Sequence, residues 1–205
     1  MTYKTHISTG LLFSSIFFLL IMDVQFTPLL VPLLIIATIV GASAPDLDTP
    51  SGGLWRQIPA GSVISRIVKP AFIGGHRHLS HSFLGLVILT FLFWLLTKLV
   101  FINIPILDAS NYFGLTILAF IVGYLSHLLA DSFTEAGVPL LFPLEYHFGI
   151  PPDPLGKMRI KTGKWFENLI IYPIVNIALV IVIYRYIVAN NLAERIIDAV
   201  KNSNY

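Results

Sequence analysis

Five long runs of apolar residues constrain the fold of this chain more than any other feature of its sequence. A helix needs roughly 20 residues to cross the ~30 Å hydrocarbon core of a bilayer, and inside lipid a helix satisfies its own backbone hydrogen bonds. Of the 205 residues, 56% are hydrophobic and 12% are charged. The sequence therefore predicts an all-α, polytopic membrane bundle that forms one integral membrane domain over residues 1–205. The predicted spans are about Thr5–Met22, Thr27–Ala44, Phe83–Ile104, Tyr112–Ala130 and Phe166–Val188.

Two connecting segments have patterns of their own. In Thr49–Gly74, apolar residues recur near helical spacing between cations, which predicts a short amphipathic helix lying in the membrane interface. These apolar residues are Ile58, Val63, Ile64, Ile67 and Val68. In Ser132–Trp165, the apolar stretch Gly137–Pro143 is broken by prolines and is too short to span. It is predicted to be re-entrant or to lie on the surface.

The distribution of basic residues predicts the orientation of the bundle. Five spans place the starts of spans one, three and five and the ends of spans two and four on one side, here called the site side. Nine Lys and Arg fall on the site side and four on the other. The positive-inside rule then places the site side in the cytoplasm. The nine are Lys4, Arg56, Arg66, Lys69, Arg77, Lys157, Arg159, Lys161 and Lys164, and the four are Lys98, Arg185, Arg195 and Lys201.

Composition limits the chemistry of any site. The chain has no cysteine, so disulfides, thiolate ligands and cysteine nucleophiles are excluded. A metal would have to be held by His, Asp, Glu or backbone oxygens. The formal net charge of +2 is too small to indicate a nucleic-acid partner.

Histidine and aspartate cluster in two motifs on the site side. The stretch Gly75-His-Arg-His-Leu-Ser-His-Ser82 holds three of the six histidines just before the third span. In Gly123-Tyr-Leu-Ser-His-Leu-Leu-Ala-Asp131, His127 and Asp131 are four residues apart and share a helix face, so both can ligate one metal. A helix cap or a buried His–Asp hydrogen bond is the alternative interpretation. Ionisable groups within a membrane favour a functional role.

The other polar residues at the site-side ends of the spans are weaker candidates. His6 by itself is typical of an interfacial anchor, and His78 and His147 are predicted to be interfacial histidines. Asp46 and Asp48 alternate, so in an extended chain they would face the same way and suit bridging or supporting roles around Zn²⁺ or Mn²⁺. A solvated loop is the alternative for this pair. Glu167 is either a ligand or a first-turn glutamate favoured by the helix dipole.

Taken together, these motifs resemble the bacterial membrane-bound metal-dependent hydrolase family of the LexA-regulated YdjM type. The similarity runs from His6 to about Glu167 and includes Pro45-Asp-Leu-Asp48, the histidine-rich stretch and the His127–Asp131 motif in the same order. His78 and Ser80 stand where a small residue and a threonine are expected, so His78 is not predicted as a ligand. The resemblance implies a bacterial inner-membrane location and these site residues: His6, Asp46, Asp48, His76, His81, His127, Asp131 and Glu167.

The resulting hypothesis is a membrane hydrolase in which a divalent metal activates water, with zinc expected and manganese as the alternative. The substrate would be a phosphate-bearing lipid or lipid-linked molecule. Asp46 or Asp48 would act as bridge or general base, while Arg77 and the cations of 157–164 would hold an anionic headgroup. Two alternatives stay open: a non-catalytic membrane protein with a structural metal, and a metal or proton transporter. Transporters place ionisable groups near the bilayer midplane, which the clustering at span ends argues against.

Overall fold

The computed structural model describes residues 1–22, 24, 26–49, 52–53, 55–68, 70, 77–104, 112–144 and 146–191. In chain order, α1 (Tyr3–Ser15) continues as a π-helical segment (Ile16–Ile21), and α2 (Leu30–Ser43) continues as a 3₁₀ helix (Ala44–Asp48). They are followed by the short α3 (Gly61–Val68) and by the long α4 (Phe83–Asn103) and α5 (Tyr112–Ser132). The last helix, α6, begins as a π-helical segment (Glu167–Ile171) and continues over Tyr172–Ala189.

Five of these helices are long and apolar enough to cross a membrane, which confirms the predicted all-α membrane bundle. The spans are Tyr3–Ile21, Leu30–Asp48, Phe83–Asn103, Tyr112–Ser132 and Glu167–Ala189. Most of their bounds agree with the apolar runs to within a few residues. The second span begins later than predicted and extends to Asp48. The described part of the chain contains no β-strand, only isolated bridges between Thr134 and Ile160 and between Val138 and Phe148.

The centre of the bundle is α5, which packs against α1, α2 and α4, while α6 packs on α1 at the edge. The contact between α2 and α5 is close because each helix presents a glycine. A Cβ on Gly41 would lie 2.1 Å from the carbonyl oxygen of Phe120, and one on Gly123 would lie 2.3 Å from that of Thr38. Small residues of this kind let the backbones of membrane helices approach. This approach determines where the polar end of α5 sits relative to α2.

The second span ends in a tight turn, which differs from the extended conformation expected for Asp46 and Asp48. Both aspartates lie in the 3₁₀ helix, where successive side chains are rotated by about 120° and residues two apart do not face the same way. Asp46 is half-buried and Asp48 is buried. The two carboxylates therefore have different neighbours.

A second 3₁₀ turn, Leu79–His81, positions the histidine that precedes α4. Ser82 caps α4 by accepting a hydrogen bond from the amide of Gly85 at 3.1 Å. The hydroxyl of Tyr124 on α5 donates to the carbonyl oxygen of Ser80. These contacts tie the turn to both α4 and α5, and they hold His81 in the interior of the bundle.

The predicted interfacial helix is present as α3, which packs beside the 3₁₀ end of α2. Its apolar side chains Val63, Ile64 and Ile67 are exposed, whereas Ser65 is buried against the protein. Exposed apolar residues on a short helix with Arg66 in its last turn are typical of a helix that lies in a membrane interface. The segment around Gly137–Pro143 forms turns and one β-bridge, as expected of a segment on the surface.

Candidate metal centre

Five of the residues predicted for the site converge at one end of the bundle. They come from α1, from the 3₁₀ end of α2, from the turn before α4, and from α5. All except Asp46 are buried, and the side chain of Asp46 is 21% exposed. The five residues are His6, Asp46, His81, His127 and Asp131.

The hydrogen bonds of His127 fix which ring nitrogen faces the site. Its Nδ1 lies 2.7 Å from the carbonyl oxygen of Ala42 on α2. A carbonyl can only accept, so Nδ1 carries the hydrogen and Nε2 carries a lone pair. The same arrangement orients metal-binding histidines in other proteins.

A second chain of hydrogen bonds orients His81. The hydroxyl of Ser80 donates to Oδ2 of Asp48 at 2.6 Å, and the same hydroxyl oxygen lies 3.1 Å from Nδ1 of His81. Since the hydroxyl hydrogen is used on the carboxylate, the hydroxyl oxygen accepts from Nδ1 of His81. Nε2 of His81 therefore also presents a lone pair to the site. Asp48 is therefore linked to His81 through Ser80, and its Oδ2 lies 3.9 Å from Nδ1 of His81.

The two Nε2 atoms that carry these lone pairs are neighbours, since Nε2 of His81 lies 3.3 Å from Nε2 of His127. Two nitrogens bound tetrahedrally to zinc at 2.0–2.1 Å would be ~3.3 Å apart. Oδ1 of Asp46 lies 3.8 and 3.9 Å from these two nitrogens, and Oδ2 of Asp131 lies 3.6 and 3.8 Å from them. The donor types and their spacing fit a divalent metal such as zinc.

His6 adds a second group of donors on the other side of His127. The two rings stack with centroids 3.6 Å apart and an 8° angle between their planes. Neither ring nitrogen of His6 makes a hydrogen bond to the described residues, although both are buried. Its Nε2 lies 3.2 Å from Oδ1 of Asp131. His6, His127 and Asp131 thus form one group, Asp46, His81 and His127 form another, and His127 belongs to both.

Arg77 lies beside the donor group and contacts Asp131. Its guanidinium lies 2.9 Å from Oδ2 of Asp131 and donates to Thr134 at 3.0 Å and to the carbonyl of Gly137 at 3.3 Å. Its backbone amide donates to Asp48 at 3.2 Å. The amino group of Met1 contacts the other oxygen of Asp131. The negative charge of the carboxylate is therefore compensated by two cations.

Glu167 lies apart from this donor group. Its carboxylate accepts hydrogen bonds from the amide and the hydroxyl of Thr2, at 2.6 and 2.8 Å, and from the amide of Gly163 at 2.7 Å. These contacts give Glu167 the role of joining the start of α6 to the residue that precedes α1. The predicted ligand His76 falls outside the described residues.

The two histidines predicted to be interfacial lie beside each other and outside the donor group. The ring of His78 is half-buried and stands edge-on to Phe142 and to His147, with centroids 6.2 and 6.5 Å apart. His147 is exposed. Sequence spacing did not indicate that these two rings would be neighbours.

A polar pocket of about 310 Å³ adjoins the centre, because Asp46 and Arg77 are among its lining residues. Arg56 also lines it as a second cation. Sequence analysis counted Arg56 only among the nine site-side cations, and nothing in its spacing distinguished it. From the cationic segment 157–164, the described lining includes only Thr162, and Lys161 instead lies 3.5 Å from Glu135.

Comparison with known proteins gives curated relatives but no fold match, since no solved structure is significantly similar to the chain. The chain is 36% identical over 110 residues to the inner membrane protein YdjM of Escherichia coli, covering 52% of this chain and 47% of that protein. The YdjM protein of Shigella flexneri matches with the same values. The chain thus spans about half the length of these two relatives.

A third relative covers more of both chains. The uncharacterized protein YvsG of Bacillus subtilis is 30% identical over 132 residues, which are 64% of this chain and 67% of that protein. A family model described as YdjM inner membrane protein matches residues 1–193. That match includes all five spans and every residue of the candidate metal centre. The chain belongs to the YdjM family and is a multi-pass inner membrane protein.

Proposed function

We propose that this protein is a metal-dependent hydrolase of the inner membrane that acts on a phosphate-bearing lipid or lipid-linked molecule. The observation that carries the proposal is the pair of Nε2 atoms of His81 and His127, which face each other at 3.3 Å. Their hydrogen bonds assign one ring hydrogen of each histidine to Nδ1, and in the neutral rings two Nε2 lone pairs at this distance repel unless a proton or a metal ion lies between them. His81, His127, Asp46 and Asp131 would hold the metal, and His6 extends the donor set.

The donors favour zinc, with manganese as the alternative, because imidazole nitrogens suit zinc and carboxylates suit both ions. A metal bound here would supply Lewis acidity and ionise water near neutral pH. Asp46 is partly exposed and lines the polar pocket, so its carboxylate can accept a proton from water at the pocket wall. Arg77 is 15% exposed and also lines the pocket, where its guanidinium can bind an anionic group of the substrate.

The surroundings of the pocket support a lipid-like substrate. The pocket lies where α1 begins and α2 ends, at the boundary of two membrane spans. The apolar side chains of α3 are exposed nearby and would anchor this boundary in the headgroup layer. Arg56 gives the pocket a cation besides Arg77, whose guanidinium also contacts Asp131, and this favours an anionic headgroup.

The proposal is tested by hydrolysis in reconstituted membranes. With zinc or manganese supplied, the purified protein is expected to release phosphate or headgroup from an anionic phospholipid or a polyprenyl phosphate. Chelation and Asp46→Asn should each abolish release, because one removes the metal and the other removes a donor that is also the proton acceptor. Lys98→Gln, which changes an exposed cation on the side away from the site, is the matched control and should retain full release.

A structural metal is the alternative, and one observation favours it. Four of the five donors are fully buried, and the five together come from three spans and the turn before a fourth. A metal with a complete protein shell would then only tie the helices together. Absence of release from a broad lipid panel, with the metal confirmed present and fully coordinated by protein, would replace the hydrolase by this alternative.

The orientation of the site is a separate expectation. Nine basic residues on the site side against four on the other favour a cytoplasmic site with the end of α6 outside. Single cysteines at Ser62 in α3 and at Asn190 after α6 should label from opposite sides of intact cells with a membrane-impermeant reagent. Asn190→Cys is expected to label from outside. Labelling of Ser62→Cys from outside would reverse the assignment.

A further inference from the structure

A cavity of about 520 Å³ lies at the same end of the bundle but on a different face of α5 from the metal centre. Leu125, Leu128, Leu129 and Ser132 line it. These positions follow a helical spacing of three and four residues, so they form one stripe of α5. His127 and Asp131 lie on the opposite stripe. The cavity is therefore a site distinct from the metal centre.

The walls of the cavity are apolar and reach the outer surface of the bundle. Leu125 and Leu129 are exposed on the last two turns of a membrane span, and Phe83 is exposed at the start of α4. Val138 and Leu140 close the cavity on the inside. Because Leu125, Leu129 and Phe83 belong to membrane spans, the medium that fills this opening is lipid. The volume falls within the usual range for small-molecule sites.

The rim of the cavity carries two opposite charges. Arg159 is 8% exposed as a residue, and its guanidinium lies against Gly149 and donates to the carbonyl of Pro151 at 2.8 Å. Asp153 is 80% exposed and its Oδ1 lies 3.4 Å from that guanidinium. An ion pair this long and this open to solvent is weak. The rim therefore offers a buried cation beside an accessible carboxylate.

We propose that this cavity binds one phospholipid of the bilayer with a zwitterionic amine headgroup, of the phosphatidylethanolamine type. The lipid phosphate would bind Arg159, and the primary ammonium would donate hydrogen bonds to Asp153, so the order of charges in the headgroup matches the order at the rim. The trimethylammonium of phosphatidylcholine carries the same charge but has no N–H to donate. An acyl chain would lie against the leucines of α5. An anionic headgroup without an amine would leave Asp153 facing a negative charge, which the site disfavours.

Lipid retention measures this preference directly. The full-length protein is reconstituted in bilayers with equal amounts of phosphatidylethanolamine, phosphatidylcholine and phosphatidylglycerol of one chain composition. After transfer to mild detergent, native mass spectrometry counts the bound lipids. Phosphatidylethanolamine should be retained over the other two by roughly fivefold, which is the upper end for exposed ion pairs.

Three variants separate the parts of the site. Asp153→Asn should remove the advantage of phosphatidylethanolamine over phosphatidylcholine, and Arg159→Gln should lower retention of both. Leu129→Trp fills the cavity from an exposed helix position and should lower retention of every lipid while leaving bound metal unchanged. Lys98→Gln, an exposed cation near the other end of α4 and outside the cavity lining, should retain lipid as the wild type does. Equal retention of the three headgroups, a preference for phosphatidylglycerol, or undiminished retention in Leu129→Trp would overturn the proposal.

Discussion

Replacing His127 with alanine is expected to reduce bound metal from the wild-type stoichiometry to near zero. His127 belongs to both groups of donors, so its loss leaves each group with two ligands. It also leaves the carbonyl of Ala42 without the hydrogen bond that His127 donates. Elemental analysis of detergent-purified protein, loaded with zinc or manganese, measures the change. The metal-free variant should also melt at a lower temperature, because a metal that binds only the folded state stabilises it.

His147→Ala is the matched control for this prediction. His147 is exposed and lies beside His78, outside both donor groups, so metal content and melting temperature should be those of the wild type. Chelation of the wild type should lower its melting temperature, and chelation of His127→Ala should not. Equal metal content in wild type and His127→Ala would remove the basis of the candidate metal centre.

The membrane fold could be predicted because the property that a membrane span needs, a long apolar run, can be read directly from one sequence. A span must be apolar over about 20 residues, and the described spans agree closely with the five apolar runs. The order of the spans also grouped His6, Asp46 and His81 as candidates for one site. The start of span one, the end of span two and the start of span three must lie on the same side of the membrane. The structure joins these three with the His127–Asp131 pair.

The orientation of the individual side chains could not be predicted, since it depends on contacts between distant segments. Asp48 was expected to bridge metals or act as a base, but the 3₁₀ turn directs it to Ser80 and to the backbone of Arg77. Glu167 was expected among the ligands, yet it binds Thr2 and the amide of Gly163. Each of these partners is at least 29 residues away except Gly163, and no local pattern indicates them.

The close approach of α2 and α5 is a further feature that the metal centre requires. A Cβ on Gly123 would lie 2.3 Å from the carbonyl oxygen of Thr38 and 2.9 Å from the amide nitrogen of Ala42. Both atoms belong to the backbone of α2, so no rotation of a side chain relieves the clash. Gly123→Val must therefore push the two helices apart and lengthen the hydrogen bond from His127 to Ala42. We expect a loss of at least about 3 kcal/mol of stability, above the usual cost of overpacking, together with loss of bound metal.

Gly114→Val is the control, because Gly114 lies on the same helix and a Cβ there meets no described atom within 4 Å. This variant should keep the wild-type melting temperature and metal content, since valine has a better helix propensity than glycine. Thermal unfolding in detergent and elemental analysis measure both quantities for the two variants. If Gly123→Val retained the stability and metal content of Gly114→Val, the helices would not be in backbone contact. The metal donors of α5 would then need some other means of alignment with Asp46 at the end of α2.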